Sequence, residues 1–372
     1  SGEVTNEGLE KLKNDANVKK IYPNRPVKAF LSDSKNIVNA TNTWKLIYNG
    51  TNLTGKREVV CVIDTGIDYT HSDLGNCAST SNINDGSCAK VIGGYDFINN
   101  DQNPADGHGH GTHVAGIVAS TNVTYRGIAP DANIVAIKVL NSGGGGNEDD
   151  LISGINWCVN NASIFNITVI SMSLGVLNYK NTTYCDTSDN PLLVNSIHDA
   201  ISRNISVIVA AGNDGNSPLG VSSPACISNV TVIGSTTKSD SISSFSDLWG
   251  LPMLLAPGSS ITSLRANGAD TTDCSVVDSN MMTCSGTSMA TPMVAGTFAL
   301  IHQYFKLAEN KVVMPNETQR YLNNTGKRIT DTGGSGLTFS RINIFEAVKS
   351  LDSLAPTINI TFTVPANNSI TA

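Results

Sequence analysis

Apolar residues in this chain gather into short unbroken runs bounded by Gly, Asn and Ser: 59–63, 134–139, 169–173, 205–210 and 230–233. Runs of this length, rich in Val and Ile, predict strands buried on both faces. Between them, 149–160, 192–203 and 291–304 place apolar residues at helical spacing. Strand and helix thus alternate as βαβ units, which predicts an α/β fold. The expected architecture is doubly wound, a mostly parallel sheet with helices on both faces, spanning 31–352. Two flanking segments break the pattern. Residues 1–30 are Lys-rich, with a short helical piece at 7–14 and a strand-like 18–22, and residues 353–372 turn to Thr, Asn and Pro. The first reads as an incomplete module, the second as a linker or the start of a C-terminal β domain.

Composition narrows the setting. The 372 residues carry a net charge of −7 and only 15% charged residues, with no Lys/Arg cluster to form a basic patch. That excludes broad nucleic-acid binding. No stretch approaches the roughly 18 apolar residues of a membrane span. Thirteen Asn-x-Ser/Thr sequons occur, where about eight would arise by chance at this composition, so a secreted glycoprotein is the expectation. Eight cysteines occur without a Cys-x-x-Cys pair, which disfavours zinc ribbons and favours structural disulfides. Cys77 and Cys88 flank one polar loop, Cys274 and Cys284 another, and Cys185 and Cys226 also lie in loops. Cys61, inside a strand run, and Cys158, inside a helix, read as buried thiols.

Three segments carry chemistry. Asp64 ends a buried strand, so its carboxylate emerges at the carboxyl edge of the sheet, where open α/β folds bind ligands. His110 sits among small residues in His108-Gly109-His110-Gly111-Thr112-His113; the same segment would suit metal only if His108, His110 and His113 converged, and no His-Glu-x-x-His spacing is present. Ser288 follows Ser285-Gly286-Thr287 at the start of an apolar helix, whose amides favour a developing oxyanion. A Ser hydroxyl needs a His to take its proton, and that His needs a carboxylate to fix its tautomer. Asp64, His110 and Ser288 supply these roles in the order Asp, His, Ser.

The segments Asp64-Thr65-Gly66-Ile67-Asp68, His110-Gly111-Thr112-His113-Val114-Ala115-Gly116 and Gly286-Thr287-Ser288-Met289-Ala290-Thr291-Pro292 resemble the three signature motifs of subtilisin-like serine proteases. Met293 stands where that family often has His. A fourth segment, Ala210-Ala211-Gly212-Asn213, is similar to the family's oxyanion segment. The resemblance implies a secreted serine endopeptidase acting on polypeptides through an acyl-enzyme, with Asn213 as oxyanion donor. It also implies a substrate cleft formed by Gly144, Gly145 and Gly146 opposite Ser173, Leu174 and Gly175, backed by Ala210, Ala211 and Gly212. The adjacent Glu148, Asp149 and Asp150 are either readers of basic side chains or an acidic first helical turn. Residues 95–104 resemble a thermitase-type calcium loop, with Asp96, Asp101 and Asn103 as ligands, and Asp73 resembles the carboxylate of a second Ca²⁺ site. Residues 1–30 resemble the end of a propeptide, an intramolecular inhibitor with its maturation junction at 28–34. A monomer without organic cofactor is expected. Rival readings are a noncatalytic surface or binding protein on the same scaffold, and an esterase.

Overall fold

The computed structural model describes residues 5–15, 18, 33–176, 180–215, 219–269 and 274–352. Contacts divide the chain into Ser1–Phe30 and Leu31–Ala372. In the first unit one helix, Asn6–Lys13, begins at Thr5, whose hydroxyl accepts from Gly8 N at 3.1 Å. Most of the strand expected at 18–22, the tail 353–372 and most of 28–34 lie outside the described residues.

In the second unit a nine-stranded sheet runs in the order Lys327–Thr330, Thr338–Arg341, Leu254–Pro257, Thr231–Thr236, Ser206–Ala210, Ile167–Met172, Val59–Asp64, Asn133–Lys138, Val91–Asp96. All neighbours pair in parallel except the edge hairpin of Lys327–Thr330 with Thr338–Arg341. Every residue of Val59–Asp64, Ser206–Ala210 and Thr231–Thr236 is buried, as unbroken apolar runs require when both faces are covered. Side chains alternate between two cores. Val60, Val62, Ile134 and Ala136 pack with helices His110–Ala119, Thr287–Tyr304 and Ile344–Asp352. Cys61, Ile63, Val135 and Ile137 pack with helices Glu148–Asn160 and Pro191–Ser202 on the other face. The fold is therefore doubly wound α/β, as the apolar pattern predicted.

The first of these helices to matter for chemistry starts where glycines allow it. A Cβ on Gly111 would stand 2.1 Å from Gly66 O, so only glycine lets the helix start press against the end of the Val59–Asp64 strand. The strand Val91–Asp96 escaped the pattern because Gly93-Gly94 interrupts its apolar run. There a Cβ on Gly94 would fall 2.4 Å from Ala136 O.

One cysteine expectation is corrected. Cys61 and Cys158 are not buried thiols: they form a disulfide, alongside Cys77–Cys88, Cys185–Cys226 and Cys274–Cys284. Burial and regular secondary structure made them look like packing residues, but sheet and helix bring their Cα atoms to 6.5 Å. The bond ties the Val59–Asp64 strand to the covering helix across a sequence separation of 97 residues. Replacing both cysteines by Ala is expected to cost about 3–5 kcal/mol, because a loop of this length gains much freedom in the unfolded chain. Urea denaturation with the other bonds intact checks this; unchanged stability would refute the pairing's role.

Candidate active site

The Val59–Asp64 strand delivers Asp64 at its carboxyl end, next to the point where strand order reverses: the chain continues to one side of this strand, then returns to the other. Asp64 is buried, and its Oδ1 accepts from Thr65 N at 2.7 Å and from His110 Nδ1 at 2.7 Å. A carboxylate can only accept, so the imidazole proton sits on Nδ1 and Nε2 is left as a base. The His110 side chain is 21% exposed, enough to meet a substrate. Burial disfavours its charged form, but the charge and hydrogen bond of Asp64, with the charge of Asp106, outweigh that and hold its pKa above the ordinary value.

Ser288 lies in the first turn of the Thr287–Tyr304 helix, beginning after Gly286. Its Oγ donates to Ser173 O at 3.1 Å, and Ser173 Oγ donates to Ser288 O at 2.9 Å. The hydroxyl proton therefore points at the cleft segment. The hydroxyl is bonded to Ser173 O and not to His110, and such loose geometry is common before substrate binds.

Asn213 is oriented by its neighbour. Thr287 N–H donates to Asn213 Oδ1 at 2.8 Å, which fixes the amide with Nδ2 on the opposite side. A Cβ built on Gly286 would be 3.4 Å from Asn213 Nδ2 and 3.6 Å from Ser288 N, so both donors border one small space that glycine leaves open. Ser288 N–H belongs to the first helical turn and has no intrahelical partner. This space can hold an oxyanion. Ala210 and Ala211 are buried, and Gly212, at φ 118°, donates its N–H to the Thr287 hydroxyl while its carbonyl accepts from that hydroxyl and from Asp247 N.

A groove of about 730 Å³ runs past His110, lined by Gly144, Gly145 and Gly146 on one side and Ser173, Leu174 and Gly175 on the other. Leu140 and Leu151 give it apolar surface, and His108 and Glu148 add polar groups. Glu148 is also in the first turn of its helix and accepts from Asn190 Nδ2 at 2.6 Å. The three histidines do not converge on a metal. His113 is buried, its Nε2 shared between Ile261 O and Met282 O, and burial followed by the nearby His110 charge lowers its pKa to about 3. In the 96–103 turn, Asp96 and Asp101 face each other across a backbone bridge. Asp96 Oδ1 accepts from Ile98 N and Asn99 N, and Asp101 Oδ1 accepts from Asn103 N. Asn103 Oδ1 accepts from Tyr69 at 3.0 Å. Asp73 lies apart, its Oδ2 accepting from Asn122 Nδ2 at 3.1 Å.

Two residues that sequence reading passed over prop the site. Asp247 is buried, accepts from Lys180 Nζ at 2.7 Å and Asp214 N at 3.1 Å, and a Cβ on Gly212 would lie 2.2 Å from its Oδ2. Burial outweighs Lys180 and pushes its carboxyl up to about 6. Asp106 gathers donors around the His110 helix start. Neither lies in a motif that announces chemistry; Asp106, two residues ahead of the His-Gly-His run, offered the fainter signal.

A model of the subtilase family matches residues 55–341. The chain is 36% identical to serine protease AprX of Bacillus subtilis (strain 168), over 87% of this chain and 73% of that protein. It is 33% identical to thermitase of Thermoactinomyces vulgaris, over 79% of this chain and 90% of that protein. A cold-adapted subtilisin-like serine proteinase of known crystal structure superposes with a TM-score of 0.62 at 31% identity, covering 84% of this chain and 97% of that one.

The raised His110 pKa predicts titration above the usual 6.5 or so of an imidazole, followed by NMR of the ring protons. Because the base must be neutral, reactivity should rise with pH through that value. Asp64→Asn should lower the inflection; a titration unmoved by that change would contradict the assigned cause.

Proposed function

The chain belongs to the subtilase family and is a subtilisin-like serine endopeptidase, and on that premise we propose that Asp64, His110 and Ser288 are its triad and Asn213 its oxyanion donor. The observation that carries this reading is the 2.7 Å Asp64–His110 bond, which leaves Nε2 as the base. Ser288 Oγ turns from Ser173 O to His110 Nε2, gives up its proton, and attacks the peptide carbonyl carbon. Negative charge gathers on the carbonyl oxygen, where Asn213 Nδ2 and Ser288 N–H hold it. The imidazolium, steadied by Asp64, hands its proton to the leaving amine, and an ester to Ser288 remains. Water then repeats the sequence with His110 as base, releasing the acid.

The substrate is a polypeptide strand laid between Gly144–Gly146 and Ser173–Gly175, in the manner of strand addition. Residues 1–30 are proposed as a propeptide segment that inhibits the enzyme until the 28–34 junction is cut. No helix among the described residues is long and apolar enough to cross a membrane, and secretion as a monomeric, disulfide-bonded glycoprotein is part of the proposal. Calcium is proposed at the 96–103 turn. Its donors are all oxygen, which suits Ca²⁺, and the backbone bridge supports Asp96 and Asp101 acting together, with Asn103 beside them. Bound there, the ion would neutralise two carboxylates and fix the turn. Asp73 is the carboxylate proposed for a second ion.

Ser288→Ala is expected to abolish hydrolysis of an unfolded protein and to remove labelling by a serine-directed phosphonate, read by mass spectrometry. Persisting cleavage by the pure variant would overturn the triad. Asn213→Ala should lower kcat about 10²–10³-fold with little change in KM, a magnitude established on subtilisin itself. For the ion, added Ca²⁺ should raise the melting temperature of chelator-treated protein, and Asp101→Asn should remove most of that rise. A calorimetric scan showing equal Ca²⁺ response in both proteins would move the ion elsewhere.

A further inference from the structure

Asp106 is placed where the strand carrying Asp64 meets the helix carrying His110. Its Oδ1 accepts from Thr65 Oγ1 at 2.9 Å, His108 N at 2.9 Å and Gly109 N at 2.8 Å. Its Oδ2 accepts from Thr112 N at 2.9 Å and Thr112 Oγ1 at 2.6 Å. Thr65 Oγ1 in turn accepts from Gly111 N at 2.9 Å. Asp106 thus bonds residues on both sides of His110 and, through Thr65, the residue following Asp64.

All five partners are donors. Only a group that accepts on both sides satisfies them, and an ionised carboxylate is that group. An amide of the same shape would turn N–H toward N–H or O–H on one side.

We propose that Asp106 is a positioning residue for the reaction: it locks the His110 helix start to the Asp64 strand end, and its charge sustains the protonated state of His110 during turnover. The inference rests on the triad reading above. Asp106 touches neither substrate nor reacting atoms, and acts through His110. The other groups facing that imidazole are Asp64, bonded to Nδ1, the His108 ring with its centroid 6.4 Å away, and neutral His113 on the same helix. Lys138 lies behind, with Nζ on Thr65 O at 2.6 Å. Asp106 is therefore a second anion acting on the imidazole, and its negative charge acts on His110 in the same direction as that of Asp64.

The test compares Asp106→Asn with Thr65→Val and with Asp331→Asn. The last cuts a similar carboxylate knot, with Gly333 N and Ser335, in the loop between Lys327–Thr330 and Thr338–Arg341 at the far edge of the sheet. Asp106→Asn should lower kcat about tenfold to a hundredfold with KM nearly unchanged, as expected for a misplaced catalytic group. It should also move the acid limb of the pH–kcat/KM profile to lower pH. Thr65→Val keeps the charge and breaks the link, so kcat should fall while the acid limb stays. Asp331→Asn should lower the melting temperature while leaving the acid limb alone. NMR titration of His110 reads the charge effect without turnover, so it stands even if the wild-type chain fails to cleave peptides, a result that would instead strike the triad reading. A folded Asp106→Asn protein with wild-type kcat and an unmoved His110 titration overturns the proposal. Should Asp106→Asn not fold, Thr65→Val decides: wild-type kcat there overturns the positioning role.

Discussion

One hydrogen bond organises this molecule: His110 Nδ1 to Asp64 Oδ1, at 2.7 Å, joining the end of the Val59–Asp64 strand to the start of a helix. Its partners lie 46 residues apart in sequence, and the bond fixes the tautomer that leaves Nε2 free to act. Everything around it keeps the two backbones close. Gly111 is there because a side chain would meet Gly66 O, and the strand that delivers Asp64 is held by parallel neighbours on both sides and by the Cys61–Cys158 bond to the helix beneath.

The second constraint is electrostatic. A buried carboxylate is stable only where donors surround it. Asp64 meets Thr65 N and His110, while Asp247, sharing its charge with Lys180, still has its pKa raised by burial. These charges flank the two halves of the site. Asp64 accepts from His110 Nδ1, and Asp247 accepts from Asp214 N and donates its N–H to Gly212 O, on either side of Asn213. The neutral, buried His113 beside them shows how strongly the interior resists an unpaired charge: its ring serves as a donor to two carbonyls and takes no proton.

Much was legible in the chain alone. Uninterrupted Val/Ile runs can be satisfied only by strands covered on both faces, so they determined the parallel sheet. Asp64, His110 and Ser288 stood out because Ser chemistry requires a base and a carboxylate, and the glycines beside them mark close backbone approach. Tertiary structure decided the rest. Cys61 and Cys158 looked like core thiols until the helix was laid on the sheet, since no local pattern encodes a contact across 97 residues. Asp106 drew no attention in the sequence, because its partner Thr65 reaches it only once the chain has folded. The Ser288 hydroxyl, aimed at Ser173 O, depends on a rotamer chosen by its surroundings. Sequence fixes which groups a site possesses, because chemistry follows residue type; their distances and partners are set only when separate segments pack, because those contacts have no local cause.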